Sequence, residues 1–163
     1  MTMPMTDIGG TTIVKGVLVP QDVSTDDTYV NGVIVDRIGY DSALAVAGLA
    51  VTTGSGSGSP TVTFNVQVEH GDESDLSDAA ELKSYDEELD VAVDGDHTSQ
   101  VGLPVSLETA KRYVRVNVKQ TKAGTTTVSA ALGGAHLVFG GLQDAPDALH
   151  DNDGYATSVV ATA

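Results

Sequence analysis

A chain of 163 residues with no cysteine and a formal net charge of −15 excludes several functions before any motif is read. Without thiols there is no disulfide, no thiolate metal site and no cysteine nucleophile; with 23 acidic against 8 basic residues, a polyanion such as nucleic acid is repelled rather than gathered. The length suits one domain with tails, able to bury roughly 70% of its unfolded surface. Scarce aromatics (five Tyr, two Phe, no Trp) favour strands with small, branched core side chains.

In chain order, residues 1–12, with Pro4 and the Gly9-Gly10 pair, hold no sustained periodicity and read as an arm. They lack both the basic start and the apolar run of a signal peptide. Residues 13–19 alternate loosely, as a first strand or as an arm that pairs elsewhere, and 20–27 is polar punctuation. An apolar run over 28–38 contains Asn31-Gly32, a tight turn or a bulge. The turn Gly39-Tyr40-Asp41-Ser42 launches 43–53, a nearly continuous apolar run expected of a strand buried on both faces. Its apolar core, 43–51, is the longest such stretch and falls far short of the about 20 residues that span a bilayer, so no membrane partner is expected.

The segment from Gly54 to Pro60, alternating Gly and Ser, lacks the apolar area to order a backbone and reads as a mobile hairpin tip. No Lys-Ser pair or helix follows to make it a phosphate loop. Residues 61–69 then alternate cleanly, with Val62, Phe64, Val66 and Val68 on one side. An acidic loop over 70–80 leads into 79–88, a short helix or an irregular crossing. Short strands are predicted over 89–93 and 101–107, about the turn Asp94-Gly95-Asp96-His97.

Residues 110–118 follow, with Val114, Val116 and Val118 on one side and Tyr113, Arg115 and Asn117 on the other, a pattern that Lys119 continues. This is a strand with one buried face. It also concentrates the positive charge, because Lys111, Arg112, Arg115, Lys119 and Lys122 are five of the eight basic residues. Such a stripe is either an internal counter-ion for carboxylates or a contact surface for an acidic neighbour. Beyond Gly124, strands are expected over 125–132 and 135–139, about Gly133-Gly134. From residue 143 the chain is polar and small until an apolar end at 158–163, which is either frayed or an extension docking on a neighbour. Short strands at roughly ten-residue spacing, without long crossovers, predict an all-β, antiparallel β-sandwich, jelly-roll-like, over 13–142, with extended N- and C-terminal arms at 1–12 and 143–163.

No stretch spells out a reaction. His70, His97, His136 and His150 include no pair at zinc-ligand spacing. Asp151-Asn152-Asp153-Gly154 fits a calcium loop only if Leu149 and Val160 take positions that need oxygen ligands. Acidic turns such as Asp72-Glu73-Asp75 read as hydrated loops, and no Gly-x-Ser-x-Gly elbow is present. The expectation is a protein that is not an enzyme and needs no cofactor or metal. The candidate interface comprises Lys111, Arg112, Arg115, Lys119 and Lys122, with Val159 and Val160 from the apolar end. Lysine scarce throughout the chain, rather than one acidic tail, is the bias of proteins from salt-loving archaea.

Three stretches resemble a family of small virion structural proteins encoded near the major capsid gene of tailed viruses. The first is Val35-Asp36-Arg37-Ile38-Gly39-Tyr40-Asp41-Ser42-Ala43. The second is Thr63-Phe64-Asn65-Val66-Gln67-Val68-Glu69 with the acidic turn from Asp72 to Asp75. The third is the strand from Lys111 to Val116, followed by a small-residue strand. The resemblance covers residues 28–139; the family's Asp-Gly turn is altered here to His70-Gly71-Asp72-Glu73. It implies a virion protein decorating the outer surface of the capsid of a haloarchaeal tailed virus. Its partners would be the major capsid protein and copies of itself, a trimer being favoured over a pentamer. A tail or neck protein of the same virion is the nearest alternative, and a carbohydrate-binding β-sandwich is the next. Sugar platforms, however, present more aromatics than this chain offers.

Overall fold

The computed structural model describes residues 13–23, 26–53, 61–90, 96–123 and 128–142. The ten strands are β1 (Ile13–Leu18), β2 (Gln21–Asp22), β3 (Val30–Asn31), β4 (Val35–Asp36), β5 (Tyr40–Thr53), β6 (Thr61–Gly71), β7 (Ala80–Asp90), β8 (Asp96–Ser106), β9 (Tyr113–Ala123) and β10 (Val128–Leu142). No described residue is helical. In the first sheet β1 and β2 both pair with β10, which pairs with β5, which pairs with β8. In the second, β3 and β4 both pair with β9, followed by β6 and β7. All of these pairings are antiparallel. Counting β1 with β2 and β3 with β4 as single interrupted strands leaves two four-stranded sheets whose successive strands alternate between layers except at the β6–β7 hairpin, the order of a jelly-roll sandwich.

The core lies between the sheets, and alternation along each central strand puts it there. From the second sheet come Val62, Phe64, Val66 and Val68 of β6 and Val114, Val116 and Val118 of β9, all fully buried. From the first come Ala45, Ala47 and Leu49 of β5 and Leu132, Leu137 and Phe139 of β10. With the β5 positions small, bulk is supplied by the phenylalanines and leucines, and the Phe139 ring stands 5.2 Å from that of Tyr40. One inward position of β9 is polar: Gln120 is fully buried and its amide donates to the Val23 carbonyl. That bond, with the Val23 N–H donated to the Ala130 carbonyl at 2.9 Å, straps the residue after β2 to both sheets.

Several expectations change. Residues 80–90 form neither a helix nor an irregular crossing but an edge strand. Its period is masked because the positions opposite Val68, Val66 and Phe64 are Lys83, Tyr85 and Glu87. The Lys83 ammonium donates to the Pro104 carbonyl at 2.6 Å and the Ser99 hydroxyl donates to Glu87 at 2.7 Å, so long polar side chains close the gap between the two edge strands β7 and β8. Charged residues at the inward positions of an edge also discourage pairing with another sheet. β5 is buried on one face only: Ala43, Ala45, Ala47, Leu49 and Val51 are buried while Leu44 is exposed. The Gly54 to Pro60 segment lies outside the described residues, yet it joins β5 of one sheet to β6 of the other and so is not a hairpin tip. Residues 128–142 are one strand, with Gly133-Gly134 forming a bulge inside it. The terminal arms lie outside the described residues.

Gly134 has φ +105°, and a Cβ there would stand 3.2 Å from the Leu18 carbonyl oxygen. Both the left-handed backbone and the close approach exclude a side chain. Gly134→Ala is therefore expected to lower unfolding stability by about 1–3 kcal/mol, measurable by thermal or urea denaturation.

Candidate functional site

β9 lies between β6 and the short β3 and β4, so every cation on its outer face has neighbours on two sides. Opposite Arg115 in register is Glu69 of β6; Arg115 Nε and Nη2 both donate to Glu69 Oε2, at 3.1 and 2.7 Å. Both side chains are largely shielded, 17% and 18% exposed. Lys119 meets Asp27 at 2.9 Å and lies 5.1 Å from the centre of the Tyr29 ring. Asp27 raises the Lys119 pKa. The Tyr29 hydroxyl donates to Asn65 Oδ1 at 2.8 Å, and burial raises its pKa against the opposing pull of Lys119. Lys122 takes the Asp26 carboxylate on its backbone N–H at 2.9 Å.

At the start of β9 the three resembling stretches converge on one corner of the sandwich. Arg112 donates through Nε and Nη2 to Asp36 Oδ2, at 3.0 and 2.8 Å, and this carboxylate raises the guanidinium pKa. The neighbouring Arg37 spends its guanidinium on backbone carbonyls, those of Lys111 (3.0 Å), Tyr40 (3.2 Å) and Ala110. The Lys111 N–H donates to His70 Nδ1 at 3.1 Å, while its ammonium bridges Asp78 (2.7 Å) and Asp72 (3.3 Å). Asp78 in turn accepts the backbone N–H groups of Asp72 and Glu73 at 2.9 and 3.1 Å. A Cβ on Gly71 would come within 2.4 Å of Asp78 Oδ1, so the glycine makes room for the carboxylate that organises the turn.

The Lys111 ammonium, followed by the two N–H groups, holds the Asp78 carboxyl far below the usual carboxylate range, and Asp78 correspondingly raises Lys111. The Ser77 N–H lowers Asp75 in the same turn. Within this charged surface sit two buried amides, Asn117 and Gln67, directly opposite each other. Gln67 Nε2 donates to Glu81 at 2.8 Å, but neither polar atom of the Asn117 side chain has a hydrogen-bond partner, nor has Gln67 Oε1. The alternation places Asn117 on the polar face of the strand; its burial there has no sequence signal.

The structure thus brings Lys111, Arg112, Arg115 and Lys119 together on one surface, each already facing a carboxylate of its own chain. Val159 and Val160 lie outside the described residues. Among the described residues, no group of three or more His, Asp or Glu is placed to hold a metal.

No protein-family model matches the chain. No curated protein matches it in sequence. Among solved structures, it is similar to a chain of the T13 viral particle of infectious bursal disease virus (TM-score 0.49, 11% identity, 79% of this chain and 31% of that one). A chain of the same virus's VP2 subviral particle gives TM-score 0.48 at 9% identity, over 78% of this chain and 32% of that one. A CBM4 structure gives 0.37 at 12%, over 80% and 88%. This chain spans about a third of the length of the viral-particle chains. All three likenesses lie below a TM-score of 0.5, and no role is drawn from them.

Two predictions follow from the ion-paired surface. Arg115→Ala leaves Glu69 shielded and unpaired and is expected to cost about 1–3 kcal/mol of stability, most of it recovered when Glu69→Gln is added. Lys119→Ala, whose partner Asp27 is well solvated, is expected to leave the melting temperature unchanged. The second concerns acid. A carboxyl whose pKa is depressed on folding contributes stability that is complete above its unfolded value, about 3.9, and lost as pH falls through the folded one. Carboxyl-carbon NMR should therefore show Asp78 titrating well below the usual carboxylate range, and Asp78→Asn should shift acid unfolding to higher pH.

Proposed function

We propose that the chain is a non-enzymatic structural protein of a virion, decorating the outer surface of the capsid of a haloarchaeal tailed virus. The observation that carries this reading is the use made of the residues that resemble the virion family. Asp36, Arg37, Glu69, Lys111, Arg112 and Arg115 all hold one corner of the sandwich together, so the resemblance is one of architecture, without a reactive constellation. Such a corner suits a protein whose task is to keep a fixed shape against a neighbour.

In this reading residues 13–142 form the body, and the arms at 1–12 and 143–163, including Val159 and Val160, reach to neighbouring subunits by strand addition. The partners are the major capsid protein and further copies of the chain, a trimer ahead of a pentamer. The basic strand faces the shell, where solvated pairs such as Lys119–Asp27 can exchange their carboxylate for one on the capsid.

Immunogold labelling of purified virions should decorate heads. Labelling of tails alone would move the protein to the tail, and absence from particles would remove the reading. The halophile component has its own check. With 15 uncompensated negative charges, the purified chain should melt at rising temperature as potassium chloride goes from dilute to molar, because screening relieves self-repulsion.

A further inference from the structure

Among the described residues, the outer face of the first sheet differs from that of the second. One row across the first sheet in register is Val14, Val138, Leu44 and Pro104, and the next carries the exposed His136 beside Val46 and Gly102. From Ser42 to Ala50, no outward position on β5, and none in register with it on β10 or β8, is Asp, Glu, Lys or Arg. In a chain with 31 such residues, 23 acidic and 8 basic, this leaves an uncharged layer of small and apolar side chains with His136 and Gln100 among them, and the carboxylate of Asp22 stands beside Ala131 at its margin; Val14 is 62% exposed and Leu44 38%. The outer face of the second sheet, by contrast, carries Arg115, Glu69 and Glu81 in one row and Lys119, Asn65 and Asp86 in another.

The glycines of the face carry the point further. Glycine weakens a strand unless something approaches its backbone closely. At Gly102 a Cβ would meet only Leu44 Cδ1 at 3.8 Å, at Gly48 only the Gly133 backbone at 3.7 Å, and at Gly140 only Ser42 Oγ at 3.5 Å. These are ordinary contacts, and none of the three has the positive φ that Gly134 shows. The subunit's own packing therefore does not require glycine at these places. A flat, close-fitting surface laid against them would.

We propose that a second copy of this chain covers this face, sheet against sheet, in a two-fold pair. Charge selects the occupant. Two copies each carrying −15 repel wherever their acidic surfaces meet, and this face lets them touch without opposing like charges. It is self-complementary, as a two-fold contact demands. Four strands about 4.8 Å apart over nine residues of about 3.3 Å give roughly 500 Å² per copy. The pair thus buries about 1,000 Å², at the lower limit of specific interfaces, and is weak and concentration-dependent. The inference rests on the assembly reading only in taking a copy of the chain as partner, and it uses no residue of the basic strand.

Sedimentation equilibrium on the purified full chain tests it. A monomer–dimer equilibrium is expected that tightens from dilute to molar potassium chloride, as an apolar contact between like-charged bodies must; a contact through the basic strand would loosen. Leu44→Asp, which sets two carboxylates at the interface, is expected to weaken the pair at least about a hundredfold with an unchanged circular dichroism spectrum. Gly102→Val should also weaken it while leaving the melting temperature equal or higher, since valine suits a strand. A chain that stays monomeric up to millimolar concentration at high salt overturns the proposal, as does a dimer indifferent to both substitutions. Either result leaves the virion reading standing if virion heads are still labelled; a pair that forms as expected in a protein absent from virions separates the two the other way.

Discussion

The scarcity of cations constrains this structure more than any single contact. Eight basic side chains serve 23 acidic ones, so where the cations stand decides which carboxylates can be brought close to the fold. Arg115 allows Glu69 to sit shielded on the second sheet, Arg112 holds Asp36 against the start of β9, and Lys111 gathers Asp72 and Asp78 over Gly71. Arg37 spends its whole guanidinium on three carbonyls. Backbone groups at the crossing between sheets would otherwise lack partners, and a charged donor makes the stronger bond. Among the described residues, much of what this strand does not neutralise stands in turns and on the edge strand β7, where water does the screening.

Partition by sheet follows. The second sheet places a ladder of opposite charges and amides on its outer face, and the first places none on the central part of its own. The buried, unpartnered Asn117 belongs to the same partition. It lies in register with Asn31 and Gln67, in a row of amides between two rows of charges, and its desolvation is a cost the surrounding ion pairs must offset.

Parts of this were legible in the sequence for a physical reason. β6 and β9 are central strands with one dry face, so their valines and polar residues alternate and could be read directly. β7 was hidden because an edge strand tolerates Lys83, Tyr85 and Glu87 at inward positions, where they reach across to β8 instead of packing. One face of β5 was misassigned because the outward Leu44, Val46, Gly48 and Ala50 carry no polarity to mark them as outside. The basic strand stood out by composition, yet its partners did not. Asp27 and Asp36 come from one part of the chain and Glu69 and Asp78 from another, and only the crossing of strands between layers brings them to it.

The strand order also has a consequence in time. β10 occupies the interior of the first sheet, between β1 and β5, and β9 the interior of the second, between β6 and the short β3 and β4. Both are made after all of their neighbours in the sheet. As the ribosome delivers the chain, β5 and β6 wait with open edges and dry faces, and neither layer can close until its central strand arrives. Pairings so distant in sequence are slow to form, and waiting strands are prone to join the wrong partner. The Lys83 and Glu87 that guard the edge of the finished molecule thus also stand on β6–β7, among the described residues the one hairpin able to form early, and they keep a nascent half-sheet from recruiting its neighbour on the polysome.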